Sequence, residues 1–129
     1  MNYYTFNYTN KEGENKELKL RLTSADAMEI ENIKKMPITQ FLQEESMSMI
    51  ITMLRYLRKW DDKNFSLGQA QALYDDLINS GLTMKKILME VIFEALVVSG
   101  FLEKEEWEEL KKANQKITKE AIATLSQDI

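Results

Sequence analysis

The chain has 129 residues, 44% hydrophobic and 29% charged, with a net charge of −4 from 17 basic and 21 acidic side chains. That length fits one domain with room for a real core, and the mild acidity excludes bulk affinity for a phosphate backbone, which needs a concentrated basic face. With no cysteine and no histidine, disulfide scaffolds, thiolate nucleophiles and Cys/His zinc sites are excluded, and the usual general base near neutral pH is missing.

The first residues lack the basic start and apolar run of a secretory signal, which predicts a cytoplasmic protein. Residues 2–9 and 17–22 read as a β-hairpin. Tyr4, Phe6 and Tyr8 alternate on one side, and Leu18, Leu20 and Leu22 alternate on the return strand. The polar link from Asn10 to Asn15, with Gly13 inside it, suits a longer hairpin loop. A lone hairpin is barely stable in water, so its apolar side must lie on the helices or against a strand of another subunit. Tyr3, Tyr4, Phe6 and Tyr8 are also a set that can stack on bases, but Glu12, Glu14 and Glu17 bring the wrong charge for nucleic acid.

Helix signals begin at Thr23 and Ser24, with Asp26 and Glu29 near the positive end of the dipole. Met28, Ile30 and Ile33 are the apolar positions of a short helix ending near Lys35, and Pro37 stops it. A second short helix, Ile38 to Glu44, offers Ile38, Phe41 and Leu42. Glu45 to Trp60 is a stronger helix capped by Ser46, with Met47, Ile50, Ile51, Leu54 and Leu57 as its apolar face. Arg55, Arg58 and Lys59 gather toward its C-terminal end, either complementing the dipole or forming a patch for an acidic partner. The loop Asp61 to Phe65 lacks the spacing of a calcium loop.

Ser66 and Gln69 form a capping box opening a helix from Leu67 to Asn79, with Leu67, Ala70, Leu73, Tyr74, Leu77 and Ile78 on its apolar face. Ser80 and Gly81 end it. Thr83 to Leu102 then reads as a single helix that is apolar on most of its surface, with Lys86, Glu90 and Glu94 on one narrow stripe. Such a helix is buried or pressed between partners. Its charges make it a poor membrane span, and its apolar side chains make it a poor recognition helix for DNA. After Gly100, acids precede lysines around the anchors Trp107 and Leu110, the order a helix dipole favours. Ile117, Ala121, Ile122, Leu125 and Ile129 form a weaker periodic face in a segment that either frays or orders on a partner.

These readings give a mainly α protein: a small helical bundle of about five to six helices with an N-terminal β-hairpin. Residues 1–110 form a single helical domain with the hairpin at about 2–22, and residues 111–129 a marginal helical or flexible tail. No catalytic constellation, metal set or cofactor motif is present in the sequence, so an enzyme is not expected.

Four stretches together resemble a known family. They are Leu20 to Ser24; Glu29 with Lys34 to Ile38 and Phe41; Tyr74 to Ile78 with Gly81; and Ile87, Leu88, Glu90, Val91, Ile92, Glu94, Ala95, Leu96 and Ser99 to Phe101. Over roughly residues 17–102 the chain resembles the tail assembly chaperones of long-tailed (siphovirus-type) bacteriophages and prophages of Gram-positive bacteria. The resemblance implies a non-catalytic protein of the host cytoplasm that coats the long, aggregation-prone tape-measure protein. Tail-tube subunits then replace it, so that it is absent from the mature virion. It also implies a homo-oligomer, the tail-tube protein as a further contact, and in many relatives a longer frameshifted form. A chaperone of this kind needs apolar surface rather than a catalyst, and the expected places are Tyr4, Phe6, Met47, Met53, Met84, Leu88, Val91 and Val97. The methionines have a second reading as ordinary core filler. The alternative function is a structural, connector or small adaptor protein acting by protein–protein contact.

Overall fold

The computed structural model describes residues 2–109 and Lys112. Its element order is β1 (Tyr4–Thr9), β2 (Asn15–Leu20), α1 (Ser24–Lys34), α2 (Ile38–Leu42), α3 (Met47–Lys59), α4 (Leu67–Asn79), α5 (Met84–Lys86), a π-helical segment (Ile87–Phe93) and α6 (Glu94–Val98). A further helical stretch, α7, is described over residues 104–109, and Lys112 is also helical. The protein is therefore mainly α with an N-terminal antiparallel hairpin. Leu110 and, Lys112 apart, the tail expected over 111–129 lie outside the described residues.

The hairpin pairs Tyr4 with Leu20, Phe6 with Leu18 and Tyr8 with Lys16. Residues opposite each other share a face, so the aromatic side of β1 and the leucine side of β2 are one surface. That surface is turned onto the helices: Leu18 and Leu20 are buried, and Tyr4, Phe6 and Tyr8 pack against the core from its edge. At the turn Asn10 is itself buried and its side-chain carbonyl accepts the Glu14 amide at 2.8 Å.

Polar contacts fix how the hairpin sits. The Tyr4 hydroxyl donates to the Glu90 carbonyl at 3.0 Å, and the Tyr8 hydroxyl to Asp76 Oδ2 at 2.6 Å. The Lys19 carbonyl accepts from both Arg58 and Trp60 Nε1, at 3.1 and 3.2 Å. The Leu22 amide donates to Ser99 Oγ at 2.9 Å, and that hydroxyl donates to the Ala95 carbonyl. The hairpin is thus bonded to α3, α4, the π segment and the end of α6. A strand from another subunit is not needed to support it.

Burial and the Asp76 carboxylate push the Tyr8 pKa above the tyrosine range, and burial with the charges of Glu94 and Glu90 raises Tyr4. A raised pKa means the protonated hydroxyl is favoured in the folded state. Its contribution is present below the unfolded value of about 10 and is lost as pH rises beyond it. Urea unfolding should therefore show stability falling above about pH 10. Tyr8→Phe should cost about 1 kcal/mol at pH 7 and flatten the alkaline fall. An equally steep fall in the variant would refute the assignment.

Caps set the helix bounds. Thr23, Ser46, Ser66 and Thr83 each accept an amide of the first turn, and Ser66 and Gln69 complete a reciprocal capping box. Two helix ends are alike. After α4, Leu82 N reaches Leu77 O across Gly81 at φ +110°; after α6, Phe101 N reaches Leu96 O across Gly100 at φ +88°. Both are left-handed glycine stops of the Schellman type. The second ends the helix at Val98, four residues short of the expected Leu102, and sends Phe101 and Leu102 back to pack on the core as loop residues.

Within the rod from Met84 to Val98 the middle is π-helical rather than α-helical, a wider winding that hydrophobic periodicity at 3.6 residues does not anticipate. Ile87, Leu88, Val91, Ile92, Ala95 and Leu96 are buried, while Lys85, Lys86 and Glu90 face outward. α3 shares the centre with it. Besides Ile50, Ile51, Leu54 and Leu57, α3 buries Met49, Met53 and Tyr56, because it is covered by β2, α4 and the π segment on different sides.

Candidate functional site: an apolar groove

Two expected helix faces are only partly covered. On α1, Ile30 is buried but Met28 and Ile33 are 63% and 59% exposed. Two residues are 200° apart on a helix, so Met28 cannot share a face with Ile30, and Ile33 lies at the edge of that face. On α4, Ala70 and Leu77 are buried and Leu73 and Tyr74 half-buried, whereas Leu67 and Ile78 are exposed. Among the described residues, α1, α3 and α4 have no neighbour that covers these edges.

The result is an open groove of about 720 Å³ with α3 as its floor and α1 and α4 as its walls. Ile30, Ile51 and Tyr56 line the bottom, and Ile33, Met47 and Leu67 stand exposed along it. The walls differ in charge: α1 presents Lys34, and α4 presents Asp75 and Gln71. Lys34 is steadied by Ser48 Oγ at 3.3 Å and by the Phe41 ring, 5.4 Å from its Nζ. Along α3 the lining runs from Met47 to Arg55, which is about 12 Å at the helical rise. That length and an apolar floor between polar walls suit one side of a helix.

The basic cluster on α3 is engaged by the chain's own groups. Lys59 pairs with Glu29 at 3.0 Å, Arg58 with Asp61 at 3.5 Å, and Arg55 Nε donates to the Phe65 carbonyl at 3.4 Å. The hydrogen bond from Lys59 holds the Glu29 carboxyl below its usual range, opposed in part by burial. Tyr56, between these charges, has its pKa raised by burial and by Glu29. Among the described residues no group of three or more acidic side chains is placed to hold a metal ion, and no helix is long and apolar enough to cross a membrane.

The expected interaction residues divide into three groups. Met47 lies on the groove, and Met84 is exposed at the start of α5. Tyr4, Phe6 and Val97 are half-buried; Tyr4 and Phe6 are packed against the chain's own core. Met53, Leu88 and Val91 are inside that core, at 0%, 4% and 0% exposure, so they are corrected from surface candidates to packing residues. Ile33, Leu67, Tyr74 and Lys34 were not anticipated. The signal for Leu67 and Tyr74 was present in α4, where the apolar positions Leu67 to Ile78 span a face wider than α3 alone can cover.

Comparison with protein-family models, curated proteins and solved structures gave no match.

Proposed function

We propose that the protein is a non-catalytic tail assembly chaperone that holds apolar helical segments of a tape-measure protein in the groove between α1, α3 and α4. In this reading the fold is a small bundle of about five to six helices with one helix position left for a partner. The observation that carries it is the row Ile33, Met47 and Leu67, exposed beside a buried floor of Ile30 and Ile51. Exposed apolar surface of this kind marks interaction sites. The family resemblance of residues 17–102 supplies the identity of the partner. Self-association, contact with the tail-tube protein, action in the host cytoplasm and absence from the finished particle belong to the same proposal.

The test is co-expression with the tape-measure protein, followed by size-exclusion chromatography with light scattering. The long protein is expected to become soluble and to elute with many copies of this chain. Met47→Glu and Leu67→Glu, both at exposed positions, should reduce the recovered complex at least tenfold without altering the circular dichroism of the chain alone. A tape-measure protein that stays insoluble beside a well-folded wild-type chain would sink the proposal. Recovery of the chain in purified particles would favour the connector reading.

A further inference from the structure

The hairpin has two outer edges, and the chain covers only one of them. On β2 the outward backbone groups are engaged: the Arg21 amide donates to the Leu57 carbonyl at 3.0 Å, and the Lys19 carbonyl accepts from Arg58 and Trp60. Opposite residues of an antiparallel ladder alternate between pairs bonded to each other and pairs whose groups point away. Lys19 points away from β1, so its partner Thr5 points away from β2, and Asn7 and Thr9 do the same. The Asn10 amide on the Glu14 carbonyl sets the same phase. Among the described residues nothing bonds the backbone N–H and C=O groups of Thr5, Asn7 and Thr9 on that side, and all three residues are exposed. Charge divides the edges too. β2 carries Lys16, Glu17 and Lys19, whereas β1 carries no charged residue. Charges normally keep an exposed strand edge from pairing, and here they lie on the strand whose edge is already covered. Burial is also uneven: Leu18 and Leu20 are buried, but Phe6 and Tyr8 on the same surface are half-buried. The uncovered flank of the aromatic face therefore lies along β1.

We infer that β1 pairs antiparallel with β1 of a second copy about a two-fold axis at Asn7, joining two hairpins into a four-stranded sheet. A second copy is the occupant this edge specifies, because the strand is complementary to itself. With Asn7 opposite Asn7, Thr5 falls opposite Thr9, and within β1 only this two-fold register uses all three outward positions. On the helix side the same register sets Phe6 of each copy opposite Tyr8 of the other, which closes the open flank with two aromatic pairs. On the solvent side threonine meets threonine. Cross-strand pairs of both kinds are favourable, and no like charges meet. The contact is isologous and closes at two copies. The β2 edges, blocked by α3, stop the sheet at four strands. The inference stands apart from the groove, since no groove-lining residue is on β1.

The chain has no cysteine, so single cysteines in the full-length protein report the register. Under mild oxidation Asn7→Cys is expected to give a disulfide dimer, since directly paired Cα atoms lie about 5.5 Å apart. Thr5→Cys and Thr9→Cys, each alone, should cross-link at least tenfold less, because their equivalent positions in the two copies are about 14 Å apart. An equimolar mixture of those two should recover the yield. In light scattering, wild type is expected to pass from one to two chain masses as concentration rises. Asn7→Lys sets two ammonium groups at the axis and should weaken the dimer at least tenfold with an unchanged circular dichroism spectrum; mixing it with Asn7→Glu should restore the dimer. Wild type that stays at one chain mass at every concentration would overturn the inference, as would Thr9→Cys cross-linking with itself as readily as Asn7→Cys, or a folded Asn7→Lys dimerising like wild type. Each of these leaves the groove proposal standing, and Met47→Glu is expected to leave the β1 dimer intact. An insoluble tape-measure protein beside a working β1 dimer would remove the groove proposal alone.

Discussion

Val91→Lys is expected to leave the chain unfolded, whereas Met84→Lys is expected to change its stability by less than about 0.5 kcal/mol. Both residues come from the same rod and both are apolar, but Val91 is 0% exposed and Met84 is 40% exposed. Val91 sits in the π segment among the buried side chains of the core. A lysine there carries an ammonium into that cluster, and an unpaired buried ion costs several kcal/mol even after relaxation. Added to the lost packing, this takes up most of a typical folding stability of about 5–15 kcal/mol. Far-UV circular dichroism and a thermal scan would read the result. A native spectrum with a melting point close to wild type would mean that Val91 faces outward. The expected contrast also determines which substitutions can report on assembly: a loss of assembly in a Val91, Leu88 or Met53 variant reports unfolding, while Met47 and Leu67 variants report the surface.

This contrast shows where the sequence was informative. Period-2 alternation located the hairpin, since a strand has two faces and the residues Tyr4, Phe6 and Tyr8 can only go together. The span of α4 follows from its capping box and its glycine stop, both local chemistry. Helical periodicity, in contrast, identifies a face without identifying what covers it. Leu67 and Ile78 belong to the apolar face of α4 as Leu77 does, yet only Leu77 has the core against it. The methionines illustrate the same limit. Met49 and Met53 are core filler while Met47, two residues before Met49, stands on the groove; the difference is a rotation of 200° about α3. The π winding was not legible because a 3.6-residue apolar periodicity does not register a wider turn; within it the Glu90 carbonyl accepts from the Tyr4 hydroxyl, 86 residues away in the chain.

Trp107→Ala should be the most damaging truncation outside the central helices, at about 3–5 kcal/mol and a fall in melting temperature of order 10 °C. Trp107 is the one buried residue of α7, at 2% exposure between exposed acids. Its ring meets Phe93 edge-on, with centroids 5.2 Å apart and planes at 79°, and its indole N–H donates to Glu94 Oε1 at 2.8 Å. Within residues 104–109 no other side chain is buried, so this stretch of α7 depends on that anchor. Removing the ring should therefore abolish amide-exchange protection over 104–109 as well as lower global stability. Trp107→Phe keeps the edge contact but loses the donor to a carboxylate, worth about 1.5–3 kcal/mol, and should retain part of the protection. Unchanged exchange in the alanine variant would show that α7 is held by other contacts.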